Sequence, residues 1–168
     1  RDEMTGKATR AMAFVITPIV LGGIFGLDLF LHLWVGGDIA VKATPIGRIL
    51  LIAFWSNAFA LLPFTKLQAS GRPDLVTKVL FVEIPIYLAA LYVGLTQFGL
   101  IGCAIVFAGR CVLDYLLLSW VAKRPWDEAA MLALNMTLLA VGALASTFWR
   151  MDQVEWWLGA AVTLAAVL

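Results

Sequence analysis

The sequence is poor in charge, which excludes an ordinary soluble domain. Of its 168 residues, 14% are Asp, Glu, Lys or Arg, whereas 62% are hydrophobic, and the mean hydropathy is +0.95. A soluble domain is about one quarter charged and about half apolar. The longest link between apolar runs, residues 36–48, is too short for a soluble domain. We therefore expect an integral membrane protein.

Cysteine and histidine are also scarce, and this argues against a metal site. Cys103 and Cys111 lie on one predicted helix, about 12 Å apart along its axis, so they cannot reach each other to form a disulfide. The one histidine, His32, has no cysteine or second histidine near it. There is no cluster of acids for Mg²⁺ and no nucleophile beside a base. We expect no metal, no cofactor and no enzymatic activity.

What the sequence has in abundance is long apolar runs, which predict an all-α, polytopic transmembrane helix bundle of about six helices. A span needs about 20 mostly apolar residues. The predicted spans are residues 11–35, 49–64, 79–97, 100–122, 129–148 and 154–168. The last run is short, and the chain opens on Arg1 with no signal-peptide pattern, so we expect a fragment of a longer protein.

The distribution of cations predicts which side of the membrane the amino end occupies. Most of the loop Lys and Arg residues fall on the same side as the amino end, and positively charged loops stay in the cytoplasm. The loop that carries Lys66, Arg72 and Lys78 belongs to this side. It has two interpretations: an ordinary positive-inside loop, or a site that attracts phosphate-bearing lipid headgroups.

Ionisable groups inside the spans are the main candidates for function, because each costs at least about 2.5–3.5 kcal/mol near the bilayer centre. Arg110 and Asp114 are four residues apart and so share one helix face near mid-span. They could form a neutralising pair that locks this helix to a neighbour. Alternatively, Arg110 meets an anionic substrate group while Asp114 holds Arg110 in place or carries a coupling proton.

Three further positions carry polar groups with open interpretations. Glu83 could reach the cytoplasmic interface and pair with Lys78, or it could face a wet cavity. Asp28 and His32 form an i, i+4 pair, either a simple hydrogen-bonded pair or part of a proton relay. Asn57 at mid-helix is either an interhelical hydrogen-bonding group or a cavity-lining one.

One stretch resembles a known family. It comprises LQASGRPD at residues 67–74, EIPIYL at 83–88 and FGLIGCA at 98–104, and it ends in Arg110 and Asp114. These segments are similar to the carboxyl half of oligosaccharide flippases of the Wzx type, in the multidrug/oligosaccharidyl-lipid/polysaccharide exporter superfamily. The family pattern is LQxxGRPD…ExPxY…YGxxGAA…R…D. Phe98 and Cys103 depart mildly from it.

The resemblance implies part of a larger two-lobe exporter fold in the bacterial inner membrane. Such a protein flips undecaprenyl-pyrophosphate-linked repeat units of O-antigen or exopolysaccharide and draws on an ion gradient. Arg110 would then hold the pyrophosphate in a central cavity, and Asp114, Glu83, Asp28 and His32 compete for the coupling ion. A polysaccharide polymerase and chain-length proteins are the protein partners that the resemblance allows, and nucleic acid is not among the partners.

Other functions stay open. A multidrug or lipid II exporter of the same superfamily would share the helical pattern, although the GRPD…ExPxY series argues against it. A membrane-embedded enzyme that modifies lipids would need a catalytic constellation that the sequence lacks. In a purely structural membrane subunit, every buried polar group would serve helix association.

Overall fold

The computed structural model describes residues 2–122 and, beyond them, residues 136, 137, 139–141 and 143. This part of the chain is helical and contains no strand. It forms α1 (Asp2–Trp34), α2 (Gly37–Ala69) and α3 (Pro73–Val121). All three are long and apolar enough to cross a membrane. The all-α class is thus confirmed here, whereas span 154–168 and most of span 129–148 lie outside the described residues.

Helix α2 begins well before the apolar run that predicted it. The expectation that residues 36–48 form a link is wrong, because α2 starts at Gly37, directly after Gly36 with its φ of 92°. Asp38 in the first turn complements the positive end of the helix dipole. With 33 residues, α2 is about 50 Å long, which exceeds the roughly 30 Å hydrocarbon core of a bilayer.

Helices α1 and α2 form an antiparallel pair. A Cβ atom on Gly47 would collide with the side chain of Leu27, and one on Gly23 would lie 3.2 Å from Leu51. The buried core lies mainly between these helices. Its members include Val20, Leu21, Ile24, Phe25, Trp55, Phe59 and Ala60. Close approach at two glycines therefore lets the α1–α2 pair exclude solvent along much of its length.

Helix α3 is a hairpin rather than one straight rod. Gly99 has φ 63° and ψ −143°, a conformation that interrupts the helix and divides it into arms 73–98 and 100–121. A Cβ atom on Gly94 would lie 3.1 Å from the carbonyl oxygen of Gly102, so the arms almost touch beside the break. The break falls where the sequence analysis separates spans 79–97 and 100–122.

The far ends of both arms return to the end of α2. Gly71, with φ 71°, makes the tight turn between α2 and α3. Leu67 of α2, Val76 of the first arm and Leu118 of the second arm form a small buried cluster beside this turn. The α3 hairpin thus folds back along α2, and side chains from its two arms meet midway.

Candidate functional site

The first arm of the α3 hairpin brings Glu83 against Arg110 of the second arm. The Nε atom of Arg110 lies 3.5 Å from Oε1 of Glu83. Glu83 is 6% exposed. Arg110 follows the break at Gly99 by eleven residues, about 16 Å of helix, and a similar length separates it from the end of α3. The pair therefore lies in the middle of a helix long enough to span the bilayer.

Tyr87 completes the surroundings of the arginine. The Cζ atom of Arg110 lies 4.9 Å from the centroid of the Tyr87 ring, within range of a cation–π interaction. Tyr87 follows Glu83 by four residues, so both side chains leave the same face of the first arm. The guanidinium is thus held between a carboxylate and an aromatic ring.

Asp114 lies one turn beyond Arg110, but the two do not form the ion pair that their spacing suggests. Among the described residues, the ion-pair partner of Arg110 is Glu83, and the Oδ1 atom of Asp114 is buried without a hydrogen bond. Lys78 does not pair with Glu83 either, because its Nζ atom lies 3.5 Å from Oδ2 of Asp74 on an exposed surface. Among the described residues, Arg110 thus pairs across the hairpin with Glu83, and Lys78 pairs within its own helix with Asp74.

We define Glu83, Arg110 and Asp114 as the α3 cluster. It holds two carboxylates against one guanidinium, so its formal charge is negative when every group is ionised. Both Oε atoms of Glu83 and the Nε atom of Arg110 are buried without a hydrogen bond in the described part of the chain. Buried charges are usually both paired and hydrogen-bonded. Chemically, either carboxylate of the α3 cluster is able to accept a proton, and another anion is able to replace a carboxylate as the partner of the guanidinium.

An apolar groove lies between the two arms, in the part of the hairpin that separates the α3 cluster from the break at Gly99. It has a volume of about 530 Å³ and no polar lining. Its walls come from both arms and comprise Ala89, Ala90, Val93, Gly94, Phe98, Gly102, Ile105 and Val106. Val106 precedes Arg110 by four residues, so the groove and the guanidinium share one face of the second arm. A guanidinium and an apolar surface therefore lie about one helical turn apart on the second arm.

A second polar group joins α1 to α2, and we call it the α1–α2 cluster: Asp28, His32, Thr44 and Arg48. His32 Nδ1 lies 2.9 Å from the carbonyl oxygen of Asp28 and 3.4 Å from its Oδ1 atom. The hydroxyl of Thr44 lies 3.2 Å from Oδ1 of Asp28. The structure thus places Asp28 and His32 together, as their spacing predicts, and adds two residues from α2.

Neither Thr44 nor Arg48 is among the residues predicted from the sequence, because residues 36–48 are expected to form a link. Arg48 is the charged member of the two. It is 8% exposed, and its Nε atom donates a hydrogen bond of 3.2 Å to the carbonyl oxygen of Ile24. A signal was present in the sequence. Ala40, Thr44 and Arg48 recur every four residues, and all three are buried on the face of α2 toward α1.

The remaining candidates lie apart from both clusters. Asn57 is exposed on α2 and belongs to neither cluster. Arg72 is exposed at the start of α3, Lys78 is exposed one turn further on, and Lys66 lies in the last turn of α2. These three cations surround the turn between α2 and α3 and do not join the α3 cluster.

Comparison with known proteins bears on the resemblance. A curated protein of Shigella flexneri, described as "Putative O-antigen transporter", is 34% identical over 118 residues, which are 70% of this chain. The resemblance to Wzx-type flippases is confirmed. The chain spans 28% of the length of that relative. No protein-family model matches the chain, and no solved structure matches it.

Proposed function

We propose that the chain is part of a transporter that flips lipid-linked oligosaccharides, of the O-antigen or exopolysaccharide type, across the bacterial inner membrane. The observation that carries the proposal is the α3 cluster, a partly buried cation at mid-helix near an apolar groove. The relative named for O-antigen transport supports the same class of cargo. An undecaprenyl-pyrophosphate linker combines the two matching chemistries, an anionic head and a hydrocarbon tail.

Arg110 is the group proposed to meet the pyrophosphate. A guanidinium stays charged at all relevant pH values and binds phosphate oxygens through two parallel N–H donors. Glu83 is paired with the guanidinium of Arg110 in the structure, so its carboxylate competes with the substrate phosphate for this cation. Tyr87 limits the movement of the guanidinium by stacking against it. Exchange of Glu83 for phosphate at Arg110 is the central step that we propose.

Energy for the transport would come from an ion gradient, with the amino end of the chain in the cytoplasm. Glu83 and Asp114 are the stronger coupling candidates because they adjoin Arg110. Asp28 and His32 are about 40% exposed, and they are engaged with each other and with Thr44. We propose that the α1–α2 cluster mainly holds its two helices together.

The proposal is tested with Arg110→Gln in the full-length protein, expressed in cells that lack their own O-antigen flippase. We expect surface glycan to be lost and lipid-linked repeat units to accumulate in the cytoplasmic leaflet. Arg72→Gln is the matched control, because it removes an exposed cation from the turn between α2 and α3. Both variants are compared at equal membrane abundance. Normal export by Arg110→Gln would refute the proposed role.

A further inference from the structure

The α3 cluster cannot hold all its charges at once without cost. Glu83 is more than nine-tenths buried, neither of its carboxylate oxygens has a hydrogen bond, and the Oδ1 atom of Asp114 is also buried without one. One guanidinium can neutralise one carboxylate. The second carboxylate, if ionised, would be an uncompensated charge in a low-dielectric region. The neutral arrangement is therefore the Glu83–Arg110 ion pair with a proton on Asp114.

No other described charge relieves this imbalance. The charges that act on Glu83 belong to Arg110 and Asp114. Two other polar side chains are near the guanidinium: Tyr87, whose ring centroid lies 4.9 Å from it, and Cys111, a buried thiol next to Arg110 in sequence. Neither supplies a positive charge. The charge balance of the α3 cluster is thus set by one cation and two acids.

From this geometry we infer that the α3 cluster takes up one proton for each anionic headgroup that it binds. The inference rests on the proposed function and deepens it. A phosphate that pairs with Arg110 displaces Glu83 and leaves its carboxylate buried without a cation. Glu83 then binds a proton, and Asp114 keeps the one it has. When the anion leaves, Glu83 releases its proton and returns to the guanidinium.

The direction of coupling follows from the same count. Proton and anion occupy the α3 cluster together, so lower pH favours anion binding. A pyrophosphate diester carries more than one negative charge, and uptake of a single proton leaves the occupied cluster more negative than the empty one. An inside-negative membrane potential favours outward movement of that remaining charge. The electrical part of the ion gradient is then the driving force for export.

Two acids also provide a redundancy that is specific to this arrangement. In Glu83→Gln, Asp114 is the remaining carboxylate; it would pair with Arg110 in the empty state and take up the proton when the anion arrives. In Asp114→Asn, Glu83 does so. Each single variant should still take up one proton, and the double variant should take up none.

The test uses the purified full-length protein in nanodiscs and, as an anionic prenyl probe, a sugar joined to farnesol through a pyrophosphate diester, which has no group that titrates near neutral pH. Calorimetric titration in two buffers of different ionisation enthalpy gives the number of protons taken up on binding. We expect about one proton for the wild type and about a tenfold gain in affinity per pH unit lowered. Binding without proton uptake by the wild type would overturn the inference and leave the proposed function standing. Absence of any binding would count against the proposed function itself.

The three neutralised variants extend the test to the residues. We expect about one proton per anion bound for Glu83→Gln and for Asp114→Asn, and about none for the double variant. Proton uptake that persists in the double variant would place the coupled group elsewhere and overturn the assignment. The wild-type result decides the inference even where a variant fails to fold.

Discussion

Arg110 and Glu83 lie 3.5 Å apart, Nε to Oε1, across the two arms of a hairpin that reverses at Gly99. This contact links residues whose separation along the chain is far greater than a helical turn. It also makes the position of each arm depend on the other, because Glu83 without Arg110 would be a buried charge with no cation beside it.

Breaking this pair from one side should be more costly than removing it entirely. We expect Arg110→Gln to destabilise the full-length protein by about 3–5 kcal/mol, because it leaves the buried Glu83 carboxylate without a cation. Glu83→Gln should cost less, because Asp114 can then pair with Arg110. The double variant should lose less than the sum of the two. Thermal unfolding in detergent measures all three variants and gives the coupling energy.

The Lys78–Asp74 pair is the matched control for that cycle. It has the same 3.5 Å separation, but both side chains are more than half exposed. We expect a coupling energy below about 1 kcal/mol there. If the stability loss of the Glu83/Arg110 double variant equals the sum of the two single losses, the coupling energy is zero. The contact between these two residues would then contribute nothing to stability.

The reversal at Gly99 should tolerate no side chain. Its φ of 63° and ψ of −143° lie in a region that is almost confined to glycine, and strain there costs about 1–3 kcal/mol. We expect Gly99→Ala to lower the unfolding temperature. Gly109→Ala is the control, because a Cβ atom on this helical glycine would meet nothing within 4 Å. Equal stability of the two variants would contradict the hairpin geometry.

How far the sequence predicts this structure depends on the range of the interaction. Apolar runs are local in sequence, so they predict that α1, α2 and the two arms of α3 are helical. The i, i+4 spacing likewise predicts that Asp28 and His32 meet. The partner of Arg110 was not predictable in this way. Asp114 has the right spacing, yet the hairpin brings Glu83 closer, and only tertiary structure decides between two acids.

Arg48 shows a different limit. Counting apolar residues assigns a charged residue to a link, although a long arginine side chain can remain in a helix by bonding to a neighbouring carbonyl. The oxygen of Ile24 provides that partner because Gly47 allows α1 to approach α2 closely. The first part of α2 is therefore stabilised by a contact with α1, and hydropathy does not predict that contact.

The hydrogen bond of Arg48 should contribute measurably to the α1–α2 pair. We expect Arg48→Gln to destabilise the protein by about 1.5–3 kcal/mol, the range for hydrogen bonds that involve a charged group. Lys42→Gln is the control, because Lys42 is exposed on the same helix. Thermal unfolding distinguishes them. If both variants unfold at the wild-type temperature, Arg48 does not anchor the two helices.

The contact between Trp55 and Thr17 offers a neutral counterpart to these charged interactions. The indole Nε1 atom donates a 3.0 Å hydrogen bond to the hydroxyl of Thr17, which is fully buried at 0% exposure. Trp55→Phe removes the donor and leaves that hydroxyl without its partner, so we expect a loss of about 1–3 kcal/mol. Adding Thr17→Val to the Phe variant should recover part of the loss, because the hydroxyl without a partner is then gone.

Trp34→Phe, at a residue 75% exposed, is the control and should change stability by less than about 0.5 kcal/mol. Unfolding temperatures of the four proteins decide the matter, and a double variant less stable than Trp55→Phe would mean that Thr17 has another hydrogen-bond acceptor in the core.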